Sequence, residues 1–181
     1  MLTISHIEFK HDPYNHAVNC ALLLHEMQGV CAVIKVPHAR IINFIQVFYA
    51  TIDCQNYIRE NMNKQTALFA YDRNMRPWLA VTRDIPNNLK EIKIFCHCED
   101  YSYVRDWTNL YRERFQNTTF DICTFDDLNT ELLTYGLKYI RKLRRQFKND
   151  INIINQLDQD FNDIRNALED QAIRRATVDE M

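Results

Sequence analysis

From Leu133 onward the chain places an apolar residue at every seventh position: Leu133, Ile140, Phe147, Ile154, Phe161 and Leu168. Such a repeat predicts a helix with one persistent apolar seam, about 50 Å long if it runs unbroken. A seam of that length has to be covered, by the same chain or by another. The intermediate positions are less regular. Leu143, Leu157 and Ile164 continue the seam, whereas Gly136, Asp150 and Gln171 interrupt it, and near Asp150 the apolar surface widens to Ile151, Ile153 and Ile154. Two phenylalanines at the repeating position also depart from the β-branched and Leu pattern of a parallel two-stranded zipper.

Charge is segregated along the same stretch. Lys138, Arg141, Lys142, Arg144, Arg145 and Lys148 crowd its first half, and Asp150, Asp158, Asp160, Asp163, Glu169 and Asp170 dominate its second. Antiparallel pairing sets basic against acidic, while in-register parallel pairing stacks like on like. Three arrangements meet this requirement. The helix breaks at Asn149-Asp150 and folds back as a hairpin, or it lies across its own sheet, or it pairs with a second chain as an antiparallel coiled coil. The six cations admit a separate reading as a nucleic-acid contact, each neutralised phosphate releasing counterions. A solvated helical face would have the same sequence.

Composition removes several function classes. With only two glycines, Gly29 and Gly136, the chain cannot assemble a phosphate-cradling loop, a dinucleotide turn or a nucleophile elbow. No apolar run approaches the ~18 residues of a membrane span. The start, Met1-Leu2-Thr3-Ile4-Ser5-His6, lacks the basic and apolar blocks of a signal peptide. The expectation is therefore a cytoplasmic or nuclear protein, not secreted, with its six cysteines reduced. Frequent Asn and Ile beside rare Gly and Pro point to an AT-rich genome, as of a virus.

Local patterning predicts a mixed α/β sheet domain followed by the long amphipathic helix or helical hairpin. Expected strands are Leu2 to Phe9, Val30 to Val36, Glu91 to Cys98 and Thr119 to Phe125, and a β-hairpin pairs 67–71 with 78–82. Expected helices are Asn15 to Met27, Ala39 to about Met62 and Ser102 to Phe115, with Asp126 or Asp127 capping the terminal one. The corresponding division is 1–126 for the α/β domain, 127–177 for the helical segment and 178–181 for a frayed tail.

The stretch Cys96-His97-Cys98-Glu99-Asp100, at the end of an expected strand, is the most site-like. Cys96 and Cys98, with Cys123 from the neighbouring strand and a histidine such as His25 or His38 as a further ligand, make a candidate zinc set, although no second Cys-x-x-Cys or His pair completes it. Glu99 and Asp100 offer acid chemistry, because ligands gather at the carboxyl ends of parallel strands. Buried thiols and an N-capping acid explain the same residues without a site. Lys93-Ile94-Phe95-Cys96-His97-Cys98-Glu99-Asp100-Tyr101-Ser102-Tyr103-Val104 resembles the opening strand and helix entry of Toll/interleukin-receptor domains, and Phe120-Asp121-Ile122-Cys123 falls about where their second strand would. The resemblance implies generic α/β architecture in this stretch. It does not extend to a Gly-rich loop after the second strand, nor to the glutamate that NAD-cleaving members use.

Taken together, these features predict a binding or assembly protein, structural, adaptor or regulatory, that homo-oligomerises or engages a protein partner through Leu133, Leu137, Ile140, Phe147, Ile154, Phe161 and Leu168. Arg141, Arg144 and Arg145 supply the charge complement. A nucleic-acid binder using 138–148, and a small enzyme or metal protein centred on Cys96 to Asp100, are the alternatives.

Overall fold

A computed structural model describes residues 4–10, 12–25, 39–113 and 115–179. The chain divides into two compact units, one formed by 18–34 and 45–128, the other by 1–17, 35–44 and 129–181.

The first unit is an α/β sheet. Strands β1 (Asn19–Leu24), β2 (Ile45–Phe48), β3 (Gln65–Tyr71), β4 (Leu89–Cys96) and β5 (Thr119–Thr124) are all parallel, in the order β2-β1-β3-β4-β5. The mixed α/β expectation is met. Helices α1 (Thr51–Glu60), α2 (Asp72–Val81) and α3 (Tyr101–Arg112) make the crossovers that parallel strands require. The register aligns Leu22 with Leu68, Leu68 with Ile92 and Ile92 with Phe120. One sheet face thereby joins a single core with Cys54 and Ile58 of α1, Met75, Trp78 and Leu79 of α2, and Val104 and Trp107 of α3.

Several local expectations are corrected. Asn15 to Met27 contains β1 instead of a helix, because Cys20 to Leu24 is an unbroken buried run, the signature of a central parallel strand. Ala39 to Met62 contains β2 followed by α1 in place of one helix; Ile52 is exposed, and Cys54 and Ile58 carry the buried face of α1. The proposed β-hairpin is β3 followed by α2. Met75, Trp78 and Leu79 fall at i, i+3 and i+4, and α2 accommodates Pro77 within it. No strand forms over the described part of Leu2 to Phe9, where Ile4–His6 is a 3-10 turn. Val30 to Val36 lies outside the described residues. The segment resembling an opening strand is the fourth, β4, flanked by β3 and β5.

In the second unit α4 (Phe125–Gln146, belonging to this unit from Asn129) and α5 (Ile151–Asp179) form an antiparallel hairpin. Helix α4 starts at Phe125, so Thr124 takes the capping place expected of Asp126 or Asp127. Its hydroxyl accepts the Asp127 N–H at 3.3 Å and donates to the Asp127 carboxylate at 2.9 Å. The break falls at Asn149-Asp150. Asp150 Oδ1 accepts the N–H groups of Asn152 and Ile153, both at 3.1 Å, and so starts α5. Pairing is antiparallel because partner numbers fall as the others rise. Thr130 donates to Gln171 at 3.2 Å, the Arg141 guanidinium lies 5.3 Å from the Phe161 ring centre, and Arg144 pairs with Asp158 at 2.8 Å.

Candidate functional site

The hairpin carries most of the residues singled out in the sequence. Its sealed interior is Leu133, Ile140 and Leu143 of α4 with Leu157 and Ile164 of α5, all without solvent contact. Of the predicted seam, only Leu133 and Ile140 sit in that interior. Leu137, Phe147, Ile154, Phe161 and Leu168 are half-buried. On α5 the buried centre is shifted toward Leu157, Asp160, Ile164 and Ala167, which places Ile154, Phe161 and Leu168 along its flank. Gly136 is required by the packing: a Cβ there would lie 2.6 Å from Phe44 Cε1 and 3.0 Å from Ile164 Cδ1.

Asp160 is the buried charge of this unit. Its carboxylate accepts the Tyr14 hydroxyl at 2.5 Å and the Lys10 ammonium at 2.9 Å. Burial and the neighbouring carboxylate raise the Tyr14 hydroxyl well above the usual tyrosine range, so it stays a donor. Tyr14 also stacks with Tyr139 at 6.0 Å and tilts against Phe44 at 6.4 Å. This network is structural: every polar group faces another of the same chain.

All six candidate cations, Lys138, Arg141, Lys142, Arg144, Arg145 and Lys148, are exposed. Arg141 and Arg144 turn toward α5, through Phe161 and Asp158. Lys138, Lys142 and Arg145, at i, i+4 and i+7, form a row along α4.

The carboxyl edge of the sheet is the other concentration of chemistry. The strand order changes direction between β1 and β3, the place where parallel sheets open a ligand crevice. Here that edge is filled with rings. Buried His25 packs on Tyr71 at 5.3 Å and on Phe95 at 6.2 Å, and Phe125 lies 5.2 Å from Tyr71, 5.4 Å from Phe95 and 4.5 Å from His97. Burial lowers the His25 imidazole below its ordinary value and keeps it neutral. Asp72, half-buried at the start of α2, has its carboxyl raised by burial, with the charge of Asp100 adding to the effect and Arg73 and His97 opposing it. Arg73 lies over the Tyr71 ring at 5.8 Å. Glu99 is exposed and Asp100 half-buried at the entry to α3.

The three candidate zinc thiols are not gathered. Cys123 is in register with Phe95, so it shares a face with Phe95, and the adjacent Cys96 points to the opposite face. Burial pushes the Cys96 thiol up to about 12, and the charges of Asp72 and Asp100 reinforce it. Cys98 is exposed beyond the strand end. Among the described residues no three His, Cys, Asp or Glu side chains converge for a metal, and none of the five described cysteines is in a disulfide.

Tyr71, Asp72 and Phe125 stand outside every candidate site that the sequence offers. His25, which the sequence offers only as a further zinc ligand, is instead a buried ring of this edge, and its place was hidden by reading β1 as a helix. Asp72 was hidden by placing it in a hairpin loop, and His38 lies outside the described residues. Two clefts have no predicted site residue in their lining. One, of about 550 Å³, is lined by Ser5, Glu8, Phe9, Lys10, Arg40 and Asn43. The other, of about 520 Å³, is bounded by Met62, Arg83, Pro86, Phe115 and Thr118. Among the described residues no helix is long and apolar enough to cross a membrane. The chain matches no protein-family model, no curated protein and no solved structure.

Proposed function

We propose that this chain is an assembly protein whose α4–α5 hairpin pairs with a second copy of itself. The observation that carries this reading is the half-buried stripe Leu137, Phe147, Ile154, Phe161 and Leu168 beside an already sealed interior. A hairpin that served only its own fold would leave these positions polar, as it does with Asn155, Gln159, Asn162 and Asn166 elsewhere on α5. Arg144 is already paired with Asp158, Arg165 with Glu169, and Arg141 lies over Phe161, so what a second copy would cover is the apolar stripe itself. Reduced thiols suit a cytosolic or nuclear setting.

Light scattering across a concentration series tests this. The parent is expected to approach twice the chain mass as concentration rises. Ile154→Asp combined with Phe161→Asp is expected to stay at the single-chain mass with the parent's circular dichroism. A parent that remains monomeric throughout overturns the reading, as does a folded variant that still doubles.

A further inference from the structure

We infer that the outer row of α4 (Lys138, Lys142 and Arg145, extended by Arg141 and Lys148) is a binding site for the phosphate backbone of duplex nucleic acid. This inference does not depend on self-association. On a helix a lysine made for solubility is offset by an acid three or four residues away, as Arg165 is by Glu169 on α5, 3.8 Å apart. The α4 row has none. The helical neighbours of Lys138 are Thr134, Tyr135, Arg141 and Lys142; those of Lys142 are Lys138, Tyr139, Arg145 and Gln146; those of Arg145 are Arg141, Lys142, Lys148 and Asn149. From Leu132 to Asn149 the sequence contains no acid at all, so the like-charge cost of the row goes uncompensated within the helix. Lys138, Lys142 and Arg145 have no ion pair among the described residues.

The chemistry of the occupant follows from what else the row offers. Leu132, Leu133, Ile140 and Leu143 of α4 are fully buried, and Leu137 and Phe147 are half-buried. Two separated, partly covered residues do not make the continuous greasy face that a membrane-surface helix sinks into a bilayer. Tyr139 is buried too, so no exposed ring stands in the row to stack an unpaired base, as single-strand binders require. What remains is a straight line of point charges, about 10 Å from Lys138 to Arg145 at 1.5 Å rise per residue. Duplexes present regularly spaced phosphates on that scale. With no donor pair arranged for a base edge, the recognition is of backbone and independent of sequence.

The test is fluorescence anisotropy of the full chain with a labelled 20-base-pair duplex of arbitrary sequence and with a permuted one. With three to four phosphates neutralised, affinity is expected to fall about 40- to 150-fold between 50 and 200 mM salt. Both duplexes should bind alike. Lys138→Gln, Lys142→Gln and Arg145→Gln together, all at exposed positions, should weaken binding about tenfold or more at 50 mM salt and flatten the salt dependence. No binding by the parent at 50 mM salt overturns the inference, as does salt-insensitive binding or undiminished binding by the triple variant. Two controls separate other occupants. Equal affinity for poly-glutamate, or for phosphatidylserine vesicles, in place of the duplex overturns the assignment to nucleic acid. A triple variant that changes the mass in light scattering but not duplex binding makes the row a contact between copies.

Discussion

The sheet unit and the hairpin treat charge and apolar surface in opposite ways. In the sheet unit several cations are tied down. Lys93, almost fully buried, pairs with Asp121 at 3.0 Å. Arg112 donates to the Phe120 carbonyl at 3.0 Å, and Arg73 and Arg76 lie over the rings of Tyr71 and Tyr103. Its ligand-prone carboxyl edge is plugged by stacked rings. The hairpin instead seals a narrow interior, leaves five large apolar residues half-covered, and lines up three cations whose helical neighbours are neutral or like-charged. A group placed for stability is surrounded by its complement. Groups without a complement inside the chain are the better guide to what lies outside it.

The contrast breaks most visibly at two phenylalanines. Phe95, fully buried in the sheet edge, should cost about 3–5 kcal/mol on truncation to Ala, and half-buried Phe161 about 1–2 kcal/mol. Urea denaturation of Phe95→Ala and Phe161→Ala reads both, and equal losses would mean that the hairpin flank is packed as tightly as the sheet. Next in size is Asp160→Ala. It strands the buried Tyr14 hydroxyl, while half-exposed Lys10 can regain water, so about 2–3 kcal/mol is expected. A loss below about 0.5 kcal/mol would show that the network contributes no net stability. Gly136→Ala sharpens the picture of the sealed interior. Its Cβ meets Phe44 and Ile164, an overpacking cost of about 1–3 kcal/mol that is reduced by up to about 1 kcal/mol of helix propensity. A stabilised variant would mean that Phe44 swings aside freely.

The smallest effect is a pH dependence located in the sheet unit. Burial holds the folded-state value of His25 below its ordinary 6.5. As pH falls through that value the unfolded chain takes up a proton that the folded chain resists, so stability is lost on acidification and recovered as pH rises. Asp72, raised in the folded state, acts in the opposite direction at lower pH: it favours the protonated form and loses stability as pH climbs above the ordinary carboxylate value. Urea midpoints at pH 5 and pH 7 should differ less in His25→Phe than in the parent. An unchanged difference would place the dependence elsewhere.

In residues 89–124 the type and order of all three elements were legible, with their ends misplaced by up to three residues. A strand with Ile92, Ile94 and Cys96 on one face, an amphipathic helix and a second strand each have one period and one reading, and β4, α3 and β5 followed. The charge pattern, with its sign change near Asn149-Asp150, carried the hairpin as one of its open alternatives. Other segments were ambiguous. A five-residue buried run such as Cys20 to Leu24 satisfies helical and strand spacing alike, and Trp78-Leu79-Ala80-Val81 reads as a strand until Met75 is seen to complete a helical face. Parallel pairing was illegible because it joins residues distant in sequence. So was the convergence of His25, Tyr71, Phe95 and Phe125, which comes from four separate strand ends.

What the sequence alone determined is the set of local periods and signs: an apolar repeat that must be covered, a basic arm and an acidic arm, and too few glycines for a nucleotide loop. Those depend on residues within a few turns of one another. Tertiary structure decided which apolar residues are sealed and which stay half-covered, which cations find partners, and that Cys96 and Cys123 part to opposite faces. Each of those outcomes is set by neighbours brought from elsewhere in the chain, and local spacing carries no record of them.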